Sequence, residues 1–386
     1  MADIKISSLG ILDEQKFKKL ASDREDWLNS GEDMLLNPNY ETNQLALSLK
    51  PEQLVLSVKK VLQENDSYKT IVLNSLNGEA LPIFRAGQKI AVTLAIKDKY
   101  YTEDYTIICS PSRALDGEYR ITVKNESDSI LSSYLFNKVK LGEKVNVSVP
   151  FGDFYYNSIR DHKDIIAIVC DKGIMPIYSM VQSIIDGTND FNLTIFYNEK
   201  YESDLLFKEE VLEYAEKTNK IKIKFVLSEE EKENYLTGYV SLDKIIRELR
   251  SGSNTTFFIS GTEGMLKYLD KEIEELKLPK KFIRYESFLP VCNIKRIVKY
   301  TLTIYINDEK FEIPCYNNKT IMQSILDGGV YIPSKCHNGS CGYCRSELVF
   351  GEVKVINDKR TSSDKKYNYI HPCSTYPLSD IEIIVR

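Results

Sequence analysis

The sequence predicts a multidomain chain: an antiparallel β-barrel, then an α/β unit built on a parallel sheet, then a smaller α+β unit. Three observations carry this. Residues 54–153 hold short alternating apolar segments separated by turn residues, and residues 165–276 alternate apolar segments with helix-like ones. At Tyr300-Thr301-Leu302-Thr303-Ile304 a new alternating run begins, after Leu289-Pro290-Val291 has read as a linker. Short strands at close turn spacing argue a barrel, and strand alternating with helix argues a parallel sheet covered on both faces. A length of 386 residues is too great for one ordinary core and suggests two or three domains.

In chain order, residues 1–50 mix charge with few apolar positions, hold the single tryptophan, Trp27, and pass through Asn37-Pro38-Asn39 before Leu45-Ala46-Leu47. They are expected to form a helical extension that packs on the next domain. The barrel is expected over residues 51–157, with strands at Ile71-Val72-Leu73, Lys89 to Ala95, Tyr105 to Ile108, Tyr119 to Val123 and Val145 to Val149. The α/β domain, residues 158–290, opens with an all-apolar strand from Ile165, a loop containing Gly173 and a helical stretch through Met180 to Ile185. Strands at Leu193 to Tyr197, Ile221 to Leu227 and Phe257 to Ile259 follow, with Leu266 to Leu276 as the helix behind the last. The third domain, residues 297–386, ends in a strand at Ile381 to Val385.

Composition excludes several classes of function. Hydrophobic content of 42% with 28% charged residues fits a water-soluble globular chain, and a net charge of −5 leaves no footprint for nucleic acid. The longest purely apolar run, Ile165 to Cys170, is far below the ~20 residues that span a bilayer, and Met1-Ala2-Asp3 opens no signal peptide. A cytoplasmic location with no membrane span is expected. Eight cysteines in a reducing compartment argue against a disulfide framework. The scattered ones, Cys109, Cys170, Cys292 and Cys315, read as small buried hydrophobes.

The remaining four carry the strongest chemical signal. Cys336-x4-Cys341-x2-Cys344, followed by Cys373 after 28 residues, is the ligand spacing of a plant-type 2Fe-2S cluster. Gly339 and Gly342 let backbone amides turn toward the sulfurs. A structural zinc site is the alternative, but zinc modules pair their cysteines as two short knuckles, whereas here the split is three plus one. His337 and His371 lie near these cysteines and are read as surface or supporting residues rather than ligands.

Residues 300–386, through Pro333-Ser334-Lys335-Cys336 and Gly339-Ser340-Cys341-Gly342-Tyr343-Cys344, resemble the β-grasp ferredoxin domain of phthalate dioxygenase reductase-type enzymes. Residues 52–288 resemble the ferredoxin-NADP reductase superfamily in order and spacing. Gly87-Gln88 matches a family turn, and Tyr105-Thr106-Ile107 matches the flavin motif Arg-x-Tyr-Ser/Thr, in which the tyrosine ring covers the flavin and the hydroxyl reaches its reactive nitrogen. Ser132-Ser133-Tyr134-Leu135 and Pro150-Phe151-Gly152-Asp153-Phe154 match later pieces, and the resemblance puts Ser132 at the flavin phosphate. Cys170-Asp171-Lys172-Gly173-Ile174-Met175-Pro176 stands at the nucleotide loop Gly-Gly-x-Gly-Ile-Thr-Pro. Ser260-Gly261-Thr262-Glu263-Gly264-Met265 stands for Cys-Gly-Pro-x-x-Met, and Tyr285-Glu286-Ser287-Phe288 for the closing segment.

The resemblance therefore implies a flavin, FAD ahead of FMN, held by Tyr105, Thr106, Ile107 and Ser132. It implies NAD(P)H at Gly173, Pro176, Gly261 and Met265, and iron at Cys336, Cys341, Cys344 and Cys373. The activity implied is electron transfer from NAD(P)H through the flavin to the cluster and on to a protein partner. Three departures favour an alternative, a non-catalytic iron-sulfur carrier subunit. Glu103, followed by Asp104, replaces the phosphate-pairing arginine and is expected to repel a phosphate, with Arg113 or Arg120 available to compensate. Asp171 adds negative charge beside the pyrophosphate, with Lys172 as offset, and Ser260 replaces a cysteine near the nicotinamide. Tyr197-Asn198-Glu199-Lys200 has no arginine clamp, which leans to NADH.

Overall fold

The computed structural model describes residues 18–19, 22–23, 53–96, 99–126, 129–249, 254–276, 278–287, 297–306, 309–330, 332–334, 339, 341–355 and 358–385. The expected helical extension lies almost wholly outside them. So do the Leu289-Pro290-Val291 linker, Cys292, Cys336 and His337.

The first unit contains β1 (Gln53–Gln63), β2 (Tyr68–Ser75), β3 (Lys89–Ile96), β4 (Lys99–Thr106), β5 (Glu118–Lys124), α1 (Ile130–Asn137) and β6 (Lys144–Ser148). All pairings are antiparallel, in the order β4-β3-β6-β1-β2-β5. A single bridge, Ile107 to Ile121, joins the end after β4 to β5 and brings the two edges of the sheet together. The interior is filled by Leu56, Ile71, Leu73, Ile90, Val92, Ile107, Tyr119, Ile121 and Val147, every one nearly inaccessible. Closure satisfies edge amides that an open sheet would leave exposed.

The second unit runs β7 (Asp164–Val169), α2 (Ile174–Ile185), β8 (Asn192–Glu199), α3 (Lys208–Lys217), β9 (Ile221–Leu227), β10 (Leu236–Thr237), α4 (Leu242–Ile246), β11 (Thr255–Gly261), α5 (Glu263–Glu274) and β12 (Ile283–Ser287). Its sheet is entirely parallel, ordered β10-β9-β8-β7-β11-β12. Helices on both faces explain why β7 and β11 are almost wholly buried and why the apolar run at Ile165 does not alternate. Connections leave β7 for β8 on one side and return to β11 on the other. The carboxyl ends of β7 and β11 thus form a switch point, where open parallel sheets bind ligands.

The third unit contains β13 (Lys299–Ile306), β14 (Glu309–Tyr316), α6 (Ile321–Asp327), β15 (Ser346–Phe350), β16 (Val353–Val355), α7 (Ser362–Lys366), β17 (Tyr369–Ile370), β18 (Thr375–Pro377) and β19 (Ile381–Val385). The order is β14-β13-β19-β15-β17, with β13 and β19 parallel and the other pairs antiparallel. Helix α6 covers this mixed sheet with Ile321, Met322, Ile325 and Leu326. Its backbone also approaches both β4 of the barrel and the Pro372–Ser374 turn. No helix among the described residues is long and apolar enough to cross a membrane.

Candidate functional site

The cysteine turn folds around two glycines with positive φ, Gly339 at +77° and Gly342 at +68°. A side chain at either would be strained, and one at Gly339 would also meet Ser374. The sulfurs of Cys344 and Cys373 are 3.4 Å apart. That is too far for a disulfide and close to the ~3.8 Å expected of two thiolates on one tetrahedral metal with bonds of ~2.3 Å. The amide of Gly339 donates to Cys373 Sγ at 3.2 Å and that of Tyr343 to Cys341 Sγ at 3.4 Å. Thiolates bound to iron accept such bonds, so the described residues suit a cluster. Cys344 and Cys373 are buried and Cys341 is exposed. His371 is buried behind the turn, with Nδ1 2.7 Å from the Gly339 carbonyl oxygen and Nε2 3.7 Å from Asp364.

In the barrel, Tyr105, Thr106 and Ile107 are all buried, the ring of Tyr105 among the core side chains of the barrel. The Tyr105 hydroxyl donates to Glu103 Oε2 at 2.9 Å, and Ser132 Oγ donates to the same oxygen at 3.0 Å. The other oxygen, Oε1, accepts from Ser129 Oγ. Ser129 is the N-cap of α1, with Ser132 in its first turn. A helix N-terminus flanked by hydroxyls is an anion site, so the donor set suits the phosphate that the resemblance assigns to Ser132. Glu103 already supplies an anion there. The carboxylate expected to repel a phosphate is itself held in place by three hydroxyl donors. Of the arginines expected to compensate, Arg120 pairs with Glu118 at 2.6 Å and Arg113 with Asp116 at 3.5 Å. Burial, reinforced by the Glu103 charge, holds the Tyr105 phenol well above its ordinary pKa and keeps it a donor.

At the switch point, Asp171–Gly173 forms a 3-10 turn between β7 and α2. A Cβ on Gly173 would lie 2.0 Å from the Ser260 carbonyl oxygen. Packing of the turn against β11 therefore requires this glycine, a different reason from the pyrophosphate contact expected from sequence. Pro176, in the first turn of α2, gives up no helical bond there and is buried. A Cβ on Gly261 would stand 2.6 Å from both Cys170 Sγ and Met265 Cε, so Gly261, Met265 and Cys170 share one tight corner. Next to it, Ser260 Oγ and Glu286 Oε2 are buried without hydrogen-bond partners on in-register strands. Two orphaned polar atoms at a switch point suit a polar ligand.

Asp171 does not face outward as a lone charge. Its carboxylate accepts from the Tyr68 hydroxyl and from Lys124 Nζ at 2.6 Å, both on the barrel. Although desolvation raises its pKa, these two partners bring it below the ordinary value. Lys172 pairs with Glu126, also on the barrel side. A second link joins the two units: Lys89 and Glu286, both buried, pair at 2.5 Å. Sequence reading missed Tyr68, Lys124 and this pair. A lysine at the head of the apolar run Ile90-Ala91-Val92 was the available signal.

Residues 53–156 match the oxidoreductase FAD-binding domain, residues 172–271 the oxidoreductase NAD-binding domain and residues 304–378 the 2Fe-2S iron-sulfur cluster binding domain. The three matches, in the order flavin, nucleotide and ferredoxin domain, make the chain similar to phthalate dioxygenase reductase-type members of the ferredoxin-NADP reductase superfamily. The solved structure of phthalate dioxygenase reductase superposes with a TM-score of 0.65 at 21% identity, covering 86% of this chain and 97% of that one. NADH oxidoreductase HCR of Escherichia coli (strain K12) is 23% identical over 77% of this chain and 88% of its own length. The flavohemoprotein of Bacillus subtilis (strain 168) is 27% identical over 62% of this chain. The chain spans about 60% of the length of that flavohemoprotein.

Proposed function

We propose that the chain is an NAD(P)H-dependent oxidoreductase that passes electrons through FAD to a 2Fe-2S cluster and on to a protein acceptor, still unidentified. The observation that carries this reading is the placement of α6, whose backbone neighbours both β4, the strand of Tyr105 and Thr106, and the Pro372–Ser374 turn that contains Cys373. One helix thus links the flavin strand to a cluster ligand. Bound flavin exchanges a hydride for two single electrons, and bound cluster carries them one at a time.

In this reading Cys336, Cys341, Cys344 and Cys373 hold iron, with Gly339 and Tyr343 amides donating to sulfur. Tyr105, Thr106 and Ile107 shape the flavin bed, while Ser132 supplies a hydroxyl at its phosphate end. Gly173, Pro176, Gly261 and Met265 shape the nucleotide crevice. Domain limits of 51–157, 158–290 and 297–386 accompany the proposal, as does the reducing, cytoplasmic setting that the cysteine usage suits.

A second reading, an iron-sulfur carrier subunit loaded by another protein, is favoured by Glu103, which fills the anion site at α1. Anaerobic mixing of flavin-loaded protein with NADH and, separately, NADPH decides between them. The reductase reading requires at least one nucleotide to bleach the flavin and then reduce the cluster. Reduction of both centres by dithionite, with neither nucleotide acting at millimolar concentration, would leave only the carrier.

A further inference from the structure

Strand β8 ends at Glu199, whose Oε1 accepts a hydrogen bond from the Asp171 amide at 2.5 Å. Asp171 is a non-glycine residue in the left-handed region, with φ of 50°. That conformation is uncommon for a residue with a side chain and persists where surrounding contacts hold it. The contacts are present: Tyr68 and Lys124 hold its carboxylate, Glu199 its amide, and Glu126 the neighbouring Lys172. Backbone amides between a strand and a helix N-terminus are the groups that receive phosphate. Here the amide already has a carboxylate oxygen on it.

We propose that Glu199 is an internal competitor for the nucleotide pyrophosphate, latching the β7–α2 turn until its carboxylate gives up the Asp171 amide. The proposal rests on the reading that this unit takes a pyridine nucleotide. Groups that bear on Glu199 are the Asp171 carboxylate and the Cys170 thiol at the turn, the Asp204 carboxylate beyond β8, and the phenols of Tyr197 on β8 and Tyr68 on β2; Lys124 on β5 is the opposing cation. Desolvation first, then the charges of Asp171 and Asp204, push the Glu199 carboxyl up to about 7 against the opposing pull of the Asp171 amide and Lys124. Above that pH the charged carboxylate holds the amide and repels a diphosphate. Below it the neutral acid is a poorer acceptor without charge. Asp171, its own pKa lowered, stays ionised throughout.

The test is calorimetric binding of ADP-ribose to the full chain, a probe with the same pyrophosphate and no redox chemistry. If only the protonated form admits the ligand, affinity rises roughly tenfold between about pH 8 and about pH 6. Glu199→Gln removes the titration, so its affinity is flat over that range and no weaker than that of the unaltered chain at the acid end. A flat profile in the unaltered chain overturns the proposal, and so does an undiminished slope in the variant. Should the variant fail to fold, the unaltered profile decides alone. Absence of binding at every pH in both proteins overturns the proposal together with the nucleotide reading, whereas binding indifferent to pH overturns the latch alone.

Discussion

Glu103 offers the sharpest test of how this chain treats its flavin. Its carboxylate lies at the N-terminus of α1, held by Ser129, Ser132 and Tyr105. A flavin phosphate arriving at Ser132 brings a second anion to within roughly 5 Å, which at an effective dielectric of about 20 to 40 costs on the order of 2–3 kcal/mol. Glu103→Gln removes the charge at nearly constant size, and Glu103→Arg replaces repulsion by a bidentate donor. FAD affinity should improve at least tenfold with Gln and further with Arg. The same substitutions remove charge-assisted bonds from the flavin-free protein, so its unfolding free energy should fall, by about 1–2 kcal/mol for Gln. FAD titration followed by fluorescence quenching, alongside denaturation of the flavin-free chain, measures both effects. Unchanged FAD affinity in both variants, with the fold intact by circular dichroism, would show that the phosphate does not approach α1.

Two further outcomes are expected. Cys344→Ala should abolish the cluster, seen as loss of the roughly two irons and two acid-labile sulfides per chain expected for anaerobically purified protein; stoichiometric zinc in the unaltered chain would refute the assignment. Gly173→Ala should lower stability by about 3 kcal/mol or more, because its Cβ would lie 2.0 Å from the Ser260 backbone oxygen, and an unchanged urea midpoint would show that the turn can move off β11.

The fold was legible wherever periodicity follows burial. Ile165 to Val169 reads as an unbroken apolar strand because helices cover both its faces, and the four-cysteine spacing reads directly because three ligands share one turn. The reasons for particular site residues were less legible. Gly173 looked like a phosphate-contacting glycine, yet the atom that excludes a side chain there is the Ser260 carbonyl, 87 positions away in the chain. Glu103 looked like a misplaced charge because its partners Ser129 and Ser132 belong to another element, 26 and 29 residues on. No local spacing rule reports a hydroxyl that arrives at a strand from the N-terminus of a helix.

Two of the departures from the family pattern, Glu103 and Asp171, also share a physical logic. A helix N-terminus or a strand-to-helix turn presents donors that are costly to bury without an acceptor. In each of the two proposed phosphate sites the chain supplies an acceptor of its own, Glu103 for the hydroxyls of Ser129, Ser132 and Tyr105 at α1 and Glu199 for the Asp171 amide at the β7–α2 turn. Ligand binding then becomes an exchange of one anion for another, and its free energy is the difference between a phosphate and a carboxylate on the same donors. Such an exchange lowers affinity without dismantling the site, since Ser132, Tyr105 and the Asp171 amide all remain in place. At both places the donors are already satisfied by a carboxylate, so a ligand that reaches them has to displace one acceptor rather than rebuild the pocket.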